Sequence, residues 1–299
     1  MSEKGLATVR LSASNGIRYA AALGVTALLC SSAYGVDSSK EFRFDAPSGG
    51  IFTLTNNAGS VSLKASNGHQ LIVAYTAQSN KVEVDQSSTA DHRRIEITTH
   101  ALADQKPTDD EARVDFDISI PGGISVTVNT ATAIITAENL SGDISLSSDT
   151  GQITAHDLVK SNLEVRTVTG AVTLGNINGG SVEVISTAGT VDLTKVNGPK
   201  VKIGTGSGNI TYNGDCSGMG NYVFTTHSGT INMSLPQTAS VDITARSVSG
   251  DVQDDFPLSP KSHTSFTPQA GRSFAGTSNS GASSVQLQSF SGKIRVKKQ

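Results

Sequence analysis

A short pattern recurs through the second half of the chain: glycine, any residue, a β-branched residue or leucine, a polar residue, an apolar one. It runs Gly142-Asp-Ile144-Ser-Leu146, Gly151-Gln-Ile153-Thr-Ala155, Gly170-Ala-Val172-Thr-Leu174, Gly189-Thr-Val191-Asp-Leu193, Gly208-Asn-Ile210-Thr-Tyr212 and Gly229-Thr-Ile231-Asn-Met233. Gly250-Asp-Val252 and Gly292-Lys-Ile294-Arg-Val296 complete the set, and matching triplets such as Leu163-Glu-Val165, Val182-Glu-Val184, Val201-Lys-Ile203, Tyr222-Val-Phe224, Val241-Asp-Ile243 and Val285-Gln-Leu287 lie between. First apolar residues fall at 144, 153, 163, 172, 182, 191, 201 and 210, so steps of nine and ten alternate and two steps make a nineteen-residue unit, lengthening to 21 near Gly229 and Gly250. Self-similarity at a fixed period of this size marks a stacked repeat. Each triplet has the in-out-in alternation of a half-buried strand, and Gly or Asn punctuates the bends.

A β-propeller would need about 40 residues per blade, and a sandwich rarely keeps so strict a spacing. The spacing predicts an all-β parallel β-solenoid with coils of about 19–21 residues and two short strands per coil. Equivalent strands stack about 4.8 Å apart, and their inward Val, Ile and Leu form aliphatic columns. Aromatics make up only 5% of the chain, in keeping with a thin interior of uniform aliphatic size. Towards the amino end, Phe52-Thr-Leu54, Val61-Ser-Leu63 and Leu71-Ile-Val73 keep the same steps, while Val82-Glu-Val84 and Ile95-Glu-Ile97 drift. Residues 36–299 are expected to form one solenoid domain, with loop excursions at 100–112 and 254–284. Phe42, Phe44 and Phe52 are expected to plug the first coil, because an open solenoid end would template aggregation.

The first 35 residues read as an address. Lys4, Arg10 and Arg18 precede an apolar run from Ala20 to Cys30, and small residues follow in Ser31-Ser32-Ala33-Tyr34-Gly35. That is the layout of a secretory signal peptide, with cleavage after Gly35 or Ala33. Eleven residues cover only about half of a ~30 Å hydrocarbon core, so no transmembrane span is expected in the mature protein. Cys30 could carry a lipid anchor, but the bulky Leu29 stands where such signals place a small residue. The expected location is therefore the periplasm or the cell surface. The net charge is -3 and becomes more acidic once the leader is removed, so the basic footprint of a nucleic-acid binder is missing. Two cysteines, Cys30 and Cys216, exclude a disulfide scaffold.

The entry Ile118-Ser-Ile120-Pro121-Gly122-Gly123, the serial Ser/Thr-Gly-x-Ile/Val strands and the closing Ser291-Gly292-Lys293-Ile294-Arg295-Val296 resemble the bacterial family of β-strand-repeat proteins known as putative adhesins. The resemblance covers roughly residues 50 to 299. It implies an exported, solenoid-like domain with an adhesive or surface role and no established catalytic residues. One departure is Ala131-Thr132-Ala133-Ile134, where a glycine-containing turn would be expected.

On a solenoid, residues one period apart become neighbours. One outward column reads Ser145, Glu164, Glu183, Lys202, Val223 and Asp242; the opposite one reads Thr154, Thr173, Asp192, Thr211, Asn232 and Gln253. Stacked Glu164 and Glu183 could hold a divalent cation or do acid/base work, but with Lys202 beside them they read first as an exposed charged stripe. The Thr/Asn column could hydrogen-bond a glycan or a partner strand, or simply keep an exposed sheet soluble. Strand alternation would put His156 and Asp157 on opposite faces. Cys216 has no nearby histidine to activate it, and no His-Glu-x-x-His spacing occurs. Gly204-Thr-Gly206-Ser-Gly208 lacks the lysine and helix of a phosphate loop. Neither a cofactor nor a catalytic or metal-binding set is expected.

These observations predict an exported, non-enzymatic module of the envelope or cell surface, with a surface glycan or envelope protein as partner. A lyase-like polysaccharide enzyme is the alternative from another class, because such enzymes also use parallel coils; a lipid-anchored envelope sensor is a third. The facing can be tested by mutation. Val182→Asp should bury an unpaired carboxylate and destabilise by several kcal/mol, whereas Glu183→Gln should stay within about 0.5 kcal/mol. Equal losses in urea titrations would mean that the facing is wrong.

Overall fold

The computed structural model describes residues 39–217, 219–261 and 267–299, and every regular element among them is a β-strand. The predicted leader and Cys30 lie outside the described residues. Two sheets of 12 and 13 strands face each other across one aliphatic core. A single coil shows the rule. Ser161–Thr167 lies in the second sheet, the chain turns, Val172–Asn178 lies in the first sheet, and Val182–Ser186 then returns to the second. The register is parallel and steps by nineteen: Leu163 on Val182 on Val201, and Val172 on Val191 on Ile210. The inward members of these columns are buried, as alternation requires. The predicted parallel β-solenoid is the fold.

The corners explain the glycines. At most corners leaving the second sheet, a buried Ser or Thr hydroxyl accepts the amide N–H of the glycine three residues on: Thr167 from Gly170 at 2.9 Å, Thr205 from Gly208 at 3.0 Å, Thr226 from Gly229 at 2.9 Å; at Gly189 the Ser186 hydroxyl donates to the glycine carbonyl instead. These glycines form a column. A Cβ on Gly189 would lie 2.0 Å from the Gly170 carbonyl oxygen, and one on Gly208 would lie 1.9 Å from that of Gly189. Above Ala133, these corners keep about 4.8 Å stacking because no side chain intervenes between them. Ala133 heads this column, and its coil keeps register, with Ile135 pairing Ile153. The local departure in sequence does not disturb the coil.

Where coils lengthen to 21 residues, the core carries larger side chains. Tyr212, Tyr222 and Phe224 are fully buried, and the Tyr212 and Phe224 rings lie 5.4 Å apart. The Tyr212 hydroxyl donates to the Val196 carbonyl and accepts the Cys216 amide, so the bulge after Asn213 wraps the phenol.

Both ends depart from a sequential stack. At the amino end, Leu71-Ile-Val73 does not continue the parallel coils. Gln70–Ala77 runs antiparallel between Ser39–Asp45 and Arg113–Pro121, and Val82–Ser88 is antiparallel to Arg94–Ala101. The coil formed by Ile51–Asn56 and Ala58–Ser66 sits between two later coils, 94–121 and 125–138. Phe52 is therefore one coil inside the stack. The aromatic plug is built instead from Phe42, Phe44, Tyr75 and Phe116, with Phe42–Tyr75 and Tyr75–Phe116 centroids 5.5 and 5.8 Å apart.

The carboxy end repeats this arrangement. Ser283–Ser289 lies between Asn221–Thr226 and Val241–Ser247, parallel to both, and Ile294–Lys298 lies between Ile231–Leu235 and Val252–Asp254. The 21-residue step from Ile231 to Val252 is thus not a contact, because Ile294 sits between them. Within 254–284, Ser273–Ser278 forms an antiparallel strand along the outer edge of Val241–Ser247.

The corner rule gives a paired test. Gly189→Ala should cost more than about 2 kcal/mol, because a carbonyl must move. Gly204→Ala, outward on Lys200–Thr205 with nothing within 4 Å of a new Cβ, should stay within about 0.5 kcal/mol or stabilise slightly. Thermal or urea midpoints of the two variants decide; equal effects would remove the corner from the account.

Candidate functional site

The first sheet presents a long outward column of short polar side chains. Thr154, Thr173, Asp192, Thr211 and Asn232 stack in that order, as expected. Ser62 and Thr136 extend the column towards the amino end. Gln253 is not the next member. Arg295 intervenes, because its strand belongs to the inserted coil, and its guanidinium donates to Gln253 Oε1 at 2.6 and 3.1 Å.

The second sheet carries the charged column. Glu164 stacks on Glu183, and Glu183 on Lys202. Lys202 Nζ donates to Glu183 Oε1 at 2.8 Å, and this bond holds the Glu183 carboxyl below the usual carboxylate range. Glu164 pairs with Arg166, two places along its own strand, and Asn162 donates to Asp143 Oδ1 at 2.8 Å. Each carboxylate therefore has its own partner beside it. Asp143, Asn162, Glu164 and Glu183, with Ser125, Thr127 and Ser145, border a shallow open groove. Asp242 does not belong to this column. Val223 is followed by Gln286 and then Thr244, since the inserted coil shifts the register by two residues. Asp242 pairs instead with Lys261.

Another cluster was hidden by assuming alternation. Asp157 has φ of 58°, the left-handed region, so strand alternation breaks between His156 and Asp157. Both side chains then share the outer face, with His156 Nδ1 2.8 Å from Asp157 Oδ2 and Nε2 3.2 Å from Glu138 Oε1 on the adjacent strand. Asn176 donates to Asp157 Oδ1 at 3.1 Å. Asn139, Asn176 and Lys195 repeat the conformation, with φ of 57°, 51° and 53°. That run of residues at coil spacing, rich in the Asn and Asp that tolerate left-handed backbone, was the available sequence signal. The hydrogen bond to Asp157, reinforced by Glu138, raises the His156 pKa above 6.5.

Burial pushes the Cys216 thiol up to about 12, so it is not a thiolate at neutral pH. His227 stacks on exposed Phe290 with centroids 4.8 Å apart, a contact across 63 positions made by the inserted coil. Among the described residues, no group of three His, Cys, Asp or Glu side chains is arranged to hold a metal ion, and no helix is long and apolar enough to cross a membrane.

A family model described as Toastrack DUF4097 matches residues 51–297. No curated protein matches the chain significantly. Among solved structures, a putative cell adhesion protein from Clostridium sporogenes ATCC 15579 is similar at 15% identity and a TM-score of 0.30, covering 88% of this chain and 100% of that one. A putative adhesin from Bacteroides fragilis NCTC 9343 is similar at 10% identity and a TM-score of 0.46, covering 88% and 97%.

The His156 cluster makes a pH-dependent expectation. A folded-state pKa raised above the unfolded value gives stabilisation that is complete below the unfolded pKa and disappears as pH rises through the folded one. Asp157→Asn should lower the His156 titration midpoint, read from its imidazole NMR shifts. Its urea midpoint should fall below that of the natural protein at about pH 6, and the gap should narrow towards about pH 9. An unmoved titration midpoint would mean that Asp157 does not hold the imidazolium.

Proposed function

The chain belongs to the Toastrack DUF4097 family, and from that premise we propose that it is an exported, non-enzymatic binding module of the envelope or cell surface. Its ligand in this reading is a surface glycan, taken on the Thr/Asn face of the first sheet. The observation that carries the reading is the column itself: Thr136, Thr154, Thr173, Asp192, Thr211 and Asn232 on successive coils. At about 4.8 Å per coil, short hydroxyl and amide groups offer hydrogen bonds to a polyhydroxylated chain lying along the axis. They lose little side-chain entropy in doing so. The basic and apolar layout of residues 1–35 supports export.

The lyase-like alternative needs carboxylates free to bind Ca²⁺ or to move protons. Glu164 and Glu183 each lie against a cation, and Asp143 accepts an amide, which favours the binding reading.

A glycan array probed with residues 36–299 tests the proposal. Replacing Thr154, Thr173 and Thr211 together by Val should weaken binding of the captured glycan at least about tenfold, since each lost hydrogen bond is worth roughly 1 kcal/mol. The melting midpoint should hardly change, because Val suits an outward strand position. Unchanged binding in the triple variant, or calcium-dependent glycan cleavage by the natural protein, would overturn it.

A further inference from the structure

Residues 283–299 occupy a slot between two coils that are both built from earlier residues. One wall is the coil of Asn221–Thr226 and Ile231–Leu235, and the other is the coil of Val241–Ser247 and Val252–Asp254. Residues 236–240 join the walls directly, and both walls precede the insert in sequence. With the insert removed, the walls would stand about 9.6 Å apart, two strand spacings. Each would present an unpaired strand edge in both sheets and an open section of core.

The insert answers every feature of that slot. Val285 lies between Tyr222 and Ile243, Leu287 between Phe224 and Ala245, and Ile294 between Ile231 and Val252. Val285, Leu287, Ile294 and Val296 are fully buried. At the corner, Ser289 Oγ accepts the Gly292 amide at 2.7 Å, and Gly292 fits between Gly229 and Gly250 in the glycine column. Ser283 Oγ donates to the Cys216 carbonyl at 2.6 Å and accepts the Gly220 amide at 3.2 Å, fixing the register at the insert's start.

We propose that this slot is a binding site for a strand-corner-strand peptide and that two copies of the chain can trade residues 283–299 through it. The chemistry is strand addition on two edges at once, with alternate apolar side chains giving specificity. The partner is a second copy because the slot matches this segment at each pocket, hydroxyl and glycine. Within one chain, residues 255–282 tether the insert beside its slot and keep its effective concentration high. Exchange therefore belongs to folding at high protein density, or to chains whose own insert cannot seat. It is independent of what the outer faces bind.

A synthetic fluorescent peptide of residues 279–299 tests the site. The full chain carrying Val285→Asp and Leu287→Asp cannot seat its own insert. It should bind the peptide saturably at one site, with a rise in melting midpoint towards that of the natural protein. The same peptide with both Asp changes should not bind, and the natural protein, whose slot is filled, should bind at least tenfold more weakly. Should the variant not fold, the natural chain is refolded from denaturant with excess labelled peptide, which should be retained at up to one per chain. Two differently labelled natural chains refolded together at high concentration should then give mixed dimers that are absent on dilute refolding. Absence of peptide binding by a folded variant, equal binding of the Asp peptide, equal binding by the natural protein, or no incorporation and no mixed dimers on refolding would each overturn the proposal.

Discussion

The fold depends on the close approach of each coil's corner to the carbonyl of the coil beneath. Parallel strands in both sheets can keep their ladder spacing only if the connecting turn keeps it too. At the corner leaving the second sheet, a Cβ on Gly170, Gly189, Gly208, Gly229 or Gly292 would come within 2.0 Å of a carbonyl oxygen. Glycine removes that collision, and at Gly170, Gly208, Gly229 and Gly292 the Ser or Thr three places earlier takes up the glycine's amide in the buried turn. With the corner fixed, the pleat alternates without slippage and aliphatic side chains stack in columns of matched size.

The same spacing governs the surface. Residues one coil apart are brought side by side whatever their charge, and Asp143, Glu164 and Glu183 on the second sheet each meet a basic or amide neighbour on the same or an adjacent strand. Such exposed pairs add little stability; their effect is to remove like-charge repulsion between stacked Glu164 and Glu183. On the first sheet the column is mostly neutral, leaving hydroxyl and amide groups available to a ligand. Where the backbone turns left-handed at Asp157, two carboxylates, Asp157 and Glu138, converge on one imidazole.

Much of this was legible in the sequence, and the misses share a cause. From Gly142 to Tyr212, each coil contacts the coils before and after it in sequence, so a period of 19 to 21 could be read directly as stacking. Val252 follows Ile231 at the same period but touches Ile294 instead, and periodicity cannot distinguish a neighbour from a next-nearest neighbour. Leu71-Ile-Val73 shows the alternation of a coil strand, yet pairs antiparallel, because alternation reports facing and not direction. Phe52 and Asp242 were misplaced by the same assumption of sequential order. His156 and Asp157 were separated by a rule that one left-handed residue suspends.

The account's central claim is the spatial order of coils, and disulfide trapping at the carboxy end tests it most directly. A disulfide needs Cα atoms roughly 4.4–6.8 Å apart. Val223 and Gln286 are direct partners across 63 positions, whereas Val223 and Thr244 are separated by the intervening strand, about 9.6 Å apart. Under mild oxidation, Val223→Cys with Gln286→Cys should cross-link rapidly within one chain, and Val223→Cys with Thr244→Cys should not. Ready cross-linking of Val223→Cys to Thr244→Cys, with none to Gln286→Cys, would mean that the coils stack in sequence order and would contradict the structure described.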